Sequence, residues 1–356
     1  MQRILVDQQK ITKVAKDEVA AAELEPNEVR LALESFALTA NNVTYAASGF
    51  AIGYWQFFPS DVAGQGIVPV WGVGKVVESR SESLAVGTRL YGFYPMAETL
   101  VITPEMSARG NVVDVTGHRA QLPAVYNSYV PLGETTPAQD HIRAVLQPLL
   151  ATSYLLSDWL EDNGYFGAKQ VIIGSASSKT GLGLCKYLAE AKDRSFRIIG
   201  LTSERNRAFV EGLGACDQVL SYDEIADLDH VPSVYVDMSG NAAVKVRLHR
   251  HLADDLKHSA AVGISHWDAF NPSVELESVK PEFFFAPAQI AKRRKEWGPG
   301  EIDRRITEAF LRLANEASDW LSLKMHEGID AAPEVYAALA QGTADPREGH
   351  VIRLIK

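Results

Sequence analysis

The chain has 356 residues, of which 46% are hydrophobic and 22% are charged, and this composition predicts a globular protein with two domains. Its formal net charge of -10 disfavours nucleic acid as a partner, because a protein that binds a phosphate backbone needs a basic face. Its two cysteines do not fit a disulfide framework.

The sequence also predicts a cytoplasmic protein that has no membrane partner. The first residues mix charged and apolar side chains, unlike the apolar core of a signal peptide. In addition, no segment holds the run of about 18 apolar residues that a membrane helix needs.

The first part of the chain, from residue 1 to about 125, predicts an all-β region. Short apolar runs such as "VGTRLYGFYPM" alternate there with turn residues. The Pro-containing stretch that follows, "LPAVYNSYVPLGETTPAQDH", predicts a long exposed connection.

From about residue 148 to 290 the pattern changes to alternating strands and helices. The apolar segments "QVIIG", "RIIGLT", "SVYVDMS" and "SAAVGIS" predict strands of a parallel sheet that is covered on both faces. Residues 302–323 then place apolar side chains on one helical stripe. The tail "HVIRLIK" predicts a final strand that returns to the front domain.

The stretch "VIIGSASSKTG", residues 171–181, joins a predicted strand to a predicted helix through a turn of small residues. One interpretation is the loop that binds nucleoside triphosphates, whose pattern is G-x-x-x-x-G-K-[ST]. Aligning that pattern on Lys179 and Thr180 puts Ile173 and Ser178 where it requires glycines. The sequence therefore disfavours a triphosphate loop.

A second interpretation of this turn is a dinucleotide site, in which backbone N–H groups and a helix N-terminus bind a pyrophosphate. Ser177 and Ser178 can add hydroxyl donors, and Lys179 can add a positive charge. The small-residue positions are held by Ser175, Ala176, Ser178 and Gly181. A helix start of small residues that binds no ligand remains the alternative.

The end of the next predicted strand indicates which dinucleotide this site would take. NAD enzymes usually keep an acidic residue there for the ribose 2′-hydroxyl. Here Thr202 or Ser203 holds that position, and Arg205 and Arg207 follow. A neutral hydroxyl with a nearby guanidinium favours the 2′-phosphate of NADP, although the two arginines also suit a solvated helix start.

With these features in order, the chain resembles the medium-chain dehydrogenase/reductase superfamily, in its zinc-free quinone-oxidoreductase-like branch. More narrowly it resembles a bacterial group whose members mostly carry a domain-of-unknown-function label. The resemblance covers nearly the whole chain and rests on "LEPNEVRLALESFALTANNVTY", "GVGKVVESRSESLAVGTRLYGF", "LLATSYLLSDWL", "VIIGSASSKTGLG", "VDMSGN" and "GIDAAPEVYAALAQGTADPREGHVIRL".

The resemblance implies an α/β fold in which a Rossmann domain with a parallel sheet is inserted into a GroES-like β-barrel domain, with a cleft joining the two. The expected boundaries are 1–148 for the first part of the catalytic domain, 149–290 for the Rossmann domain and 291–356 for the return. It also implies a homodimer.

The resemblance further implies which residues contact the cofactor, NADP. Thr152 is expected at the nicotinamide, and Ser203 and Arg205 are expected at the adenosine end. Ser239 and Gly240 are expected near the nicotinamide ribose. The pyrophosphate is expected to lie against Ser175, Ala176, Ser177, Ser178, Lys179, Thr180 and Gly181.

No metal is predicted. Zinc alcohol dehydrogenases of this superfamily carry a Cys and a Gly-His-Glu ligand set, together with a four-cysteine structural loop. Here "VPVWGVGKV" contains Trp71 and no histidine, and two cysteines cannot supply four ligands. His249 and His251 are two residues apart on a predicted helix, so they are expected to be surface residues that point to different faces.

The predicted function is therefore an NADPH-dependent oxidoreductase that acts on a small-molecule substrate: an activated alkene, a quinone or a related carbonyl. Without zinc, hydride transfer is easiest onto a conjugated acceptor, and alkene reduction also needs an acid that supplies a proton. Tyr54 and Tyr45 are the candidate acids, and Asn42 is a candidate for bonding a substrate oxygen. The alternative is a non-catalytic protein that binds or senses NADP(H).

Two further segments suggest substrate contacts. Phe283 to Phe285 are candidates for the wall of an apolar pocket. The basic run at 292–295 is a candidate for binding a phosphate-bearing substrate, with a solvated helix face as the alternative.

Overall fold

The structure is a computed structural model that describes residues 1–191, 194–263, 267, 276 and 278–354. The chain divides into two compact units. The β-rich unit comprises Met1–Val145 and Leu321–Lys356, and the α/β unit comprises Leu146–Trp320.

The first part of the chain consists mainly of strands, and strands alternate with helices after the helix Pro137–Asp162. The strands are β1 (Gln2–Asp7), β2 (Val14–Glu18), β3 (Val29–Leu38), β4 (Gln65–Gly66), β5 (Pro69–Ser79), β6 (Arg89–Pro95), β7 (Thr99–Ile102), β8 (Pro104–Met106), β9 (Val112–Asp114), β10 (Ser128–Pro131), β11 (Gln170–Gly174), β12 (Arg197–Thr202), β13 (Gln218–Ser221), β14 (Ser233–Asp237), β15 (Leu256–Ala261), β16 (Glu282–Phe283), β17 (Ser322–Glu327) and β18 (Glu348–Arg353). The helices are α1 (Ala40–Ala47), α2 (Pro137–Asp162), α3 (Lys179–Ala189), α4 (Arg207–Gly212), α5 (Ala242–Leu252), α6 (Ala286–Trp297), α7 (Glu301–Asn315) and α8 (Ala332–Ala340). Within the ranges that the structure describes, no helix has both the length and the apolar surface of a membrane span.

The β-rich unit contains a three-stranded sheet and a nine-stranded sheet. The order is β2-β1-β4 in the first and β17-β18-β3-β5-β6-β10-β9-β8 in the second, where β7 also pairs with β3. Along the first half of β3 buried residues alternate with partly exposed ones, because one face of the strand packs on the core. The tail of the chain forms β18, which runs antiparallel to β3.

The stretch predicted as a long exposed connection is instead partly buried. It contributes β10, which pairs with both β6 and β9, and its Tyr129 is fully buried. Gly92 on β6 leaves the space for this ring, since a Cβ there would lie 2.2 Å from Tyr129 Cδ1. The connection is short: α2 already begins at Pro137.

In its described residues the α/β unit is built on a six-stranded sheet with the order β13-β12-β11-β14-β15-β16. All of its pairs are parallel, as predicted. Val171 and Ile173 pack into one apolar cluster and Ile172 into another, so both faces of the sheet are covered. Between β11 and β14 the direction of winding reverses, and in such sheets ligands bind at the carboxyl ends of the strands at that point.

The boundary predicted at residue 290 differs from the structure. The α/β unit extends to Trp320, because the helices after residue 290 belong to its core. Ile302 of α7 is fully buried there, and Ile290 and Trp297 of α6 pack against the same cluster. The helical stripe predicted for 302–323 is interrupted, since α7 ends at Asn315.

Candidate functional site

The turn after β11 has a backbone conformation that is unusual for its residue type. Ser175 has φ of 57°, in the left-handed region that normally favours glycine. The next residue, Ala176, is fully buried and donates its N–H to the Leu201 carbonyl at 2.9 Å. The turn is therefore anchored to the end of β12.

Ser178 is the N-cap of α3 rather than a free hydroxyl donor. Its Oγ accepts from Gly181 N at 3.1 Å and donates to the Ser175 carbonyl at 2.7 Å. Because its only hydrogen is directed to Ser175, the prediction that Ser178 offers a hydroxyl donor is corrected. Gly181 itself packs against the turn, since a Cβ there would lie 2.5 Å from the Ser175 oxygen.

Ser177, in contrast, keeps its hydroxyl hydrogen. Its Oγ accepts from Thr202 Oγ1 at 3.1 Å and from Asn206 Nδ2 at 3.2 Å. With both lone pairs used as acceptors, the hydroxyl hydrogen is left to donate to a ligand or to water. These two hydrogen bonds also join the turn that follows β11 to the turn that follows β12.

The turn and α2 are in direct contact. Ser153 Oγ on α2 donates to the Thr180 carbonyl at 2.7 Å, in the first turn of α3. Its neighbour Thr152 donates its hydroxyl to the Pro148 carbonyl at 3.0 Å. Lys179 opens α3 and is partly exposed, so its charge stands at the helix N-terminus, where anions bind.

The two arginines after β12 have different surroundings. Arg207 donates to Glu204 at 3.0 Å and contacts Glu224, so its charge is neutralised within the protein. Arg205 is exposed. Among the described residues the buried hydroxyl oxygen of Ser203 has no hydrogen-bond partner, so it is an unsatisfied polar atom at the end of β12.

The turn after β14 is organised by a buried carboxylate. Asp237 Oδ1 accepts from Ser239 N at 2.9 Å, Ser239 Oγ at 2.7 Å and Gly240 N at 3.0 Å. Its Oδ2 lies 3.2 Å from Lys245 Nζ of α5, and both side chains are buried. Gly240 has φ of 68°, so the turn requires a residue that tolerates the left-handed region.

Two residues of the α/β unit were missed by sequence reasoning. Tyr222 follows β13, and its hydroxyl contacts the Ser175 side chain. Burial raises the pKa of Tyr222 to about 12. The signal for Tyr222 is its place directly after a strand, but β13 itself was not predicted. Lys245 lies in an ordinary helical pattern, which carries no signal that its charge is buried.

In the β-rich unit, Asn42 has a structural role. Its Oδ1 accepts from Thr39 N at 2.7 Å and caps α1, and its Nδ2 donates to the Pro69 carbonyl at 2.8 Å. Because both ends of the amide are engaged at a residue that is 3% exposed, Asn42 is not assigned to the substrate.

Tyr45 and Tyr54 lie side by side, with ring centroids 4.4 Å apart. The Tyr45 oxygen accepts from Trp71 Nε1 at 3.0 Å, and the Tyr54 hydroxyl bonds the Tyr126 hydroxyl at 2.9 Å. Burial raises the pKa of both Tyr45 and Tyr54 well above the ordinary value.

The expectation that His249 lies at the surface is wrong. Its ring is 2% exposed, and its nitrogens lie 2.8 Å from Ser278 Oγ and 3.0 Å from Ser259 Oγ. Burial lowers the pKa of His249 to about 4. Periodicity did not show this, because the two hydroxyls come from distant segments of the chain.

The basic run at 292–295 is largely neutralised by neighbouring carboxylates. Lys292 contacts Asp162, and Arg293 donates to Asp158 at 2.8 Å. Arg294 also donates to a carboxylate, at 2.9 Å. These pairs disfavour a phosphate site, and Arg293 is buried rather than solvated.

The predicted Phe283–Phe285 wall divides between surface and core. Phe283 is 52% exposed, whereas Phe284 is buried in the core of the α/β unit. No group of three or more His, Cys, Asp or Glu side chains that suits a metal ion occurs in the described part of the chain.

Comparisons with known proteins give one family and a set of similar structures. A family model described as a protein of unknown function (DUF2855) matches residues 36–345. No curated protein matches the chain by sequence.

Among solved structures, CurA from Vibrio vulnificus in complex with NADPH is 12% identical, with a TM-score of 0.65 over 100% of each chain. YhdH from E. coli K-12 with bound NADPH is 15% identical, with a TM-score of 0.57 over 99% of each chain. The quinone oxidoreductase from Coxiella burnetii is 16% identical, with a TM-score of 0.58 over 99% of each chain. At these identities the likeness shows the fold, and it confirms the predicted combination of a Rossmann domain and a GroES-like domain.

Proposed function

Since the chain belongs to the DUF2855 family and has the fold of the medium-chain dehydrogenase/reductase superfamily, we propose that it is a zinc-independent, NADPH-dependent oxidoreductase. Its acceptor is an activated alkene, a quinone or a related carbonyl. The observation that carries the proposal is the turn at 174–181, which stands at the reversal point of the parallel sheet and begins a helix.

The residues of the α/β unit fit an NADP cofactor. The first turn of α3 places a helix N-terminus at the turn, where a pyrophosphate would bind, and Gly181 allows the turn to pack closely against that helix. After β12 stand Ser203, whose hydroxyl has no hydrogen-bond partner in the described part of the chain, and the exposed Arg205, and the position that selects NAD holds no carboxylate. The similar structures of CurA and YhdH contain NADPH, which supports the same choice.

The chain's own residues hold the cofactor and supply the proton. When bound, NADPH supplies a hydride to the β carbon of a conjugated acceptor. Tyr54 is the first choice for the acid that protonates the α carbon, and Tyr45 is the second. Both phenols carry a proton at neutral pH, because the ordinary pKa of a phenol is about 10; burial raises the pKa of each further, so release of the proton requires a partner that stabilises the tyrosinate.

Binding and turnover measurements test this proposal. Calorimetry is expected to show tighter binding of NADPH than of NADH. NADPH absorbance is expected to fall with at least one member of a panel of enones, quinones and enoyl thioesters. Tight binding of NADPH with no turnover across the panel would favour the alternative, a protein that senses NADP(H).

We also propose a homodimer in the cytoplasm. β16 stands at one end of the described sheet of the α/β unit, and its Phe283 is 52% exposed. Pairing of two such edges would cover this strand, which otherwise leaves backbone groups open to other chains. Sedimentation of the purified protein is the test, and a monomer at all concentrations would contradict the dimer.

A further inference from the structure

Tyr54 belongs to a cluster of aromatic rings in the β-rich unit. Most of the rings are buried, while Trp71 and Tyr126 are partly exposed. Measured between ring centroids, Phe93 is the cluster member nearest to Tyr126, at 4.7 Å. The members are Tyr45, Tyr54, Phe57, Phe58, Trp71, Tyr91, Phe93 and Tyr126.

Within this cluster the hydroxyls of Tyr54 and Tyr126 form a pair. Their oxygens are 2.9 Å apart, which is hydrogen-bonding distance. Tyr45 has a different kind of partner, because its oxygen accepts a hydrogen bond from the indole N–H of Trp71. An indole N–H can donate a hydrogen bond but cannot accept one. Tyr54 is therefore bonded to a second phenol, which can either donate or accept.

The backbone of Tyr126 is held by a buried ion pair. Arg119 Nη2 donates to the Tyr126 carbonyl at 3.2 Å, and Arg119 Nη1 donates to Asp114 at 2.7 Å. The Arg119 and Asp114 side chains are 1% and 0% exposed. Arg119 also bonds the hydroxyl of the buried Tyr129, so several anchors fix the position of the Tyr126 ring.

We propose that Tyr126 is a positioning residue for Tyr54, and that its hydroxyl donates a hydrogen bond to the Tyr54 oxygen while Tyr54 gives up its proton. This inference rests on the proposed function. As the β carbon receives hydride from NADPH, which becomes NADP+, the O–H bond of Tyr54 breaks and a C–H bond forms at the α carbon. The Tyr54 tyrosinate then recovers a proton from solvent.

The hydrogen bond between the two phenols affects the pKa of each. Burial raises the pKa of both phenols, but the bond between them opposes the rise for Tyr54 and adds to it for Tyr126. A hydrogen bond donated by Tyr126 therefore favours the tyrosinate form of Tyr54. A hydrogen bond that strengthens as charge develops accelerates the step, because it stabilises the transition state more than the ground state.

The test compares four variants, Tyr126→Phe, Tyr54→Phe, the double variant and Tyr91→Phe, with cyclohexenone and benzoquinone as acceptors. Tyr91 is the matched control, because its ring is in the same cluster and, within the described residues, its buried hydroxyl has no hydrogen-bond partner. The measurements are kcat and KM for each acceptor, the Kd of NADPH, the melting temperature and, in heavy water, the facial selectivity of deuterium at the α carbon.

Tyr126→Phe is expected to lower kcat with cyclohexenone about tenfold, which is what loss of one hydrogen bond to a charged group costs. Its KM, the Kd of NADPH and the rate with benzoquinone are expected to stay within about twofold, as a quinone's reduced oxygens can take protons from solvent. Tyr54→Phe is expected to lower kcat about a hundredfold and to reduce the facial selectivity. The double variant is expected to match Tyr54→Phe, since the two residues act as a unit. Tyr91→Phe is expected to behave as wild type.

Three results would overturn the inference. Full cyclohexenone turnover by Tyr126→Phe, with Tyr54→Phe impaired, would leave the proposed function intact and remove only the role of Tyr126. If Tyr126→Phe lowered kcat equally with cyclohexenone and with benzoquinone, Tyr126 would have a general structural role instead. No NADPH oxidation by wild type with any acceptor would overturn the proposed function, and this inference with it.

Discussion

In the proposed cofactor site, Arg205 is the residue expected to select NADPH over NADH. It is exposed after β12, and loss of a charge-assisted contact with a 2′-phosphate costs about 1.5–3 kcal/mol. Arg205→Ala is therefore expected to weaken NADPH binding about tenfold or more and to leave NADH nearly unchanged. Calorimetric Kd values for both cofactors check this.

Arg207→Ala is the matched control for Arg205. Arg207 is only two residues away but is already paired with Glu204 and Glu224. Its removal is expected to change the two cofactor affinities by similar, small factors. Equal weakening of NADPH and NADH in Arg205→Ala would contradict the assignment of the 2′-phosphate.

His249 is expected to make stability depend on pH. Burial lowers the pKa of its ring to about 4, whereas an unfolded histidine takes up a proton near its ordinary value. Between those two values the unfolded chain binds more protons, so the free energy of unfolding falls as pH falls. The loss between about pH 7 and about pH 5 is roughly 2 kcal/mol.

Urea unfolding at a series of pH values measures the His249 effect. His249→Gln is expected to flatten the dependence across this window, since glutamine does not titrate. A slope that stays the same in His249→Gln would assign the effect to other groups.

At the scale of single elements, the end of β14 and the start of α5 depend on one buried ion pair. Lys245 stands in the first turn of α5, where the helix dipole disfavours a cation, so its burial requires the Asp237 carboxylate. Lys245→Met leaves that carboxylate buried without its partner, which is expected to cost about 3–5 kcal/mol of unfolding free energy. Urea unfolding is the measurement.

Two further variants make the Lys245 test specific. Arg250→Met changes an exposed cation on the same helix and is expected to alter stability by no more than about 0.5 kcal/mol. Asp237→Asn combined with Lys245→Met is expected to be less destabilised than Lys245→Met alone, because no buried charge remains. If that double variant lost more than the single one, the ion pair would not be the cause.

The elements themselves were predictable to different degrees. β11, β12 and β14 were predicted because each contains a continuous apolar run, as buried parallel strands do. The predicted segment "SAAVGIS" overlaps only the end of β15, and its last two residues lie outside the described residues. β13 and β16 were missed, since runs of four and two residues have no pattern of their own. Such short strands form because a neighbouring strand offers them backbone partners.

At the scale of the whole molecule, the protein is expected to carry no zinc. The sequence has no histidine where related zinc enzymes place a catalytic ligand, and it has two cysteines where a structural site needs four. Elemental analysis is expected to find no stoichiometric zinc, and chelators are expected to leave activity and melting temperature unchanged. About one zinc per chain would refute the prediction.

The sequence by itself determined the class of fold and the place of the small-residue turn that we propose as the cofactor site. Apolar runs and small-residue turns reflect local requirements, namely burial on both faces of a strand and close approach of the backbone, and these can be read along the chain. For the same reason the sequence alone reveals that Thr202 and Ser203 stand where an NAD enzyme keeps a carboxylate.

Only the tertiary structure decided which side chains are engaged with which partners. Ser178 proved to be an N-cap, Asn42 proved to be the third residue of a capping box, and His249 proved to be buried between two serines. Tyr126 proved to be paired with Tyr54 across 72 positions of sequence. Hydrogen bonds and burial depend on distances between remote segments, and those distances are set when the sheets pack, so no local pattern of residues records them.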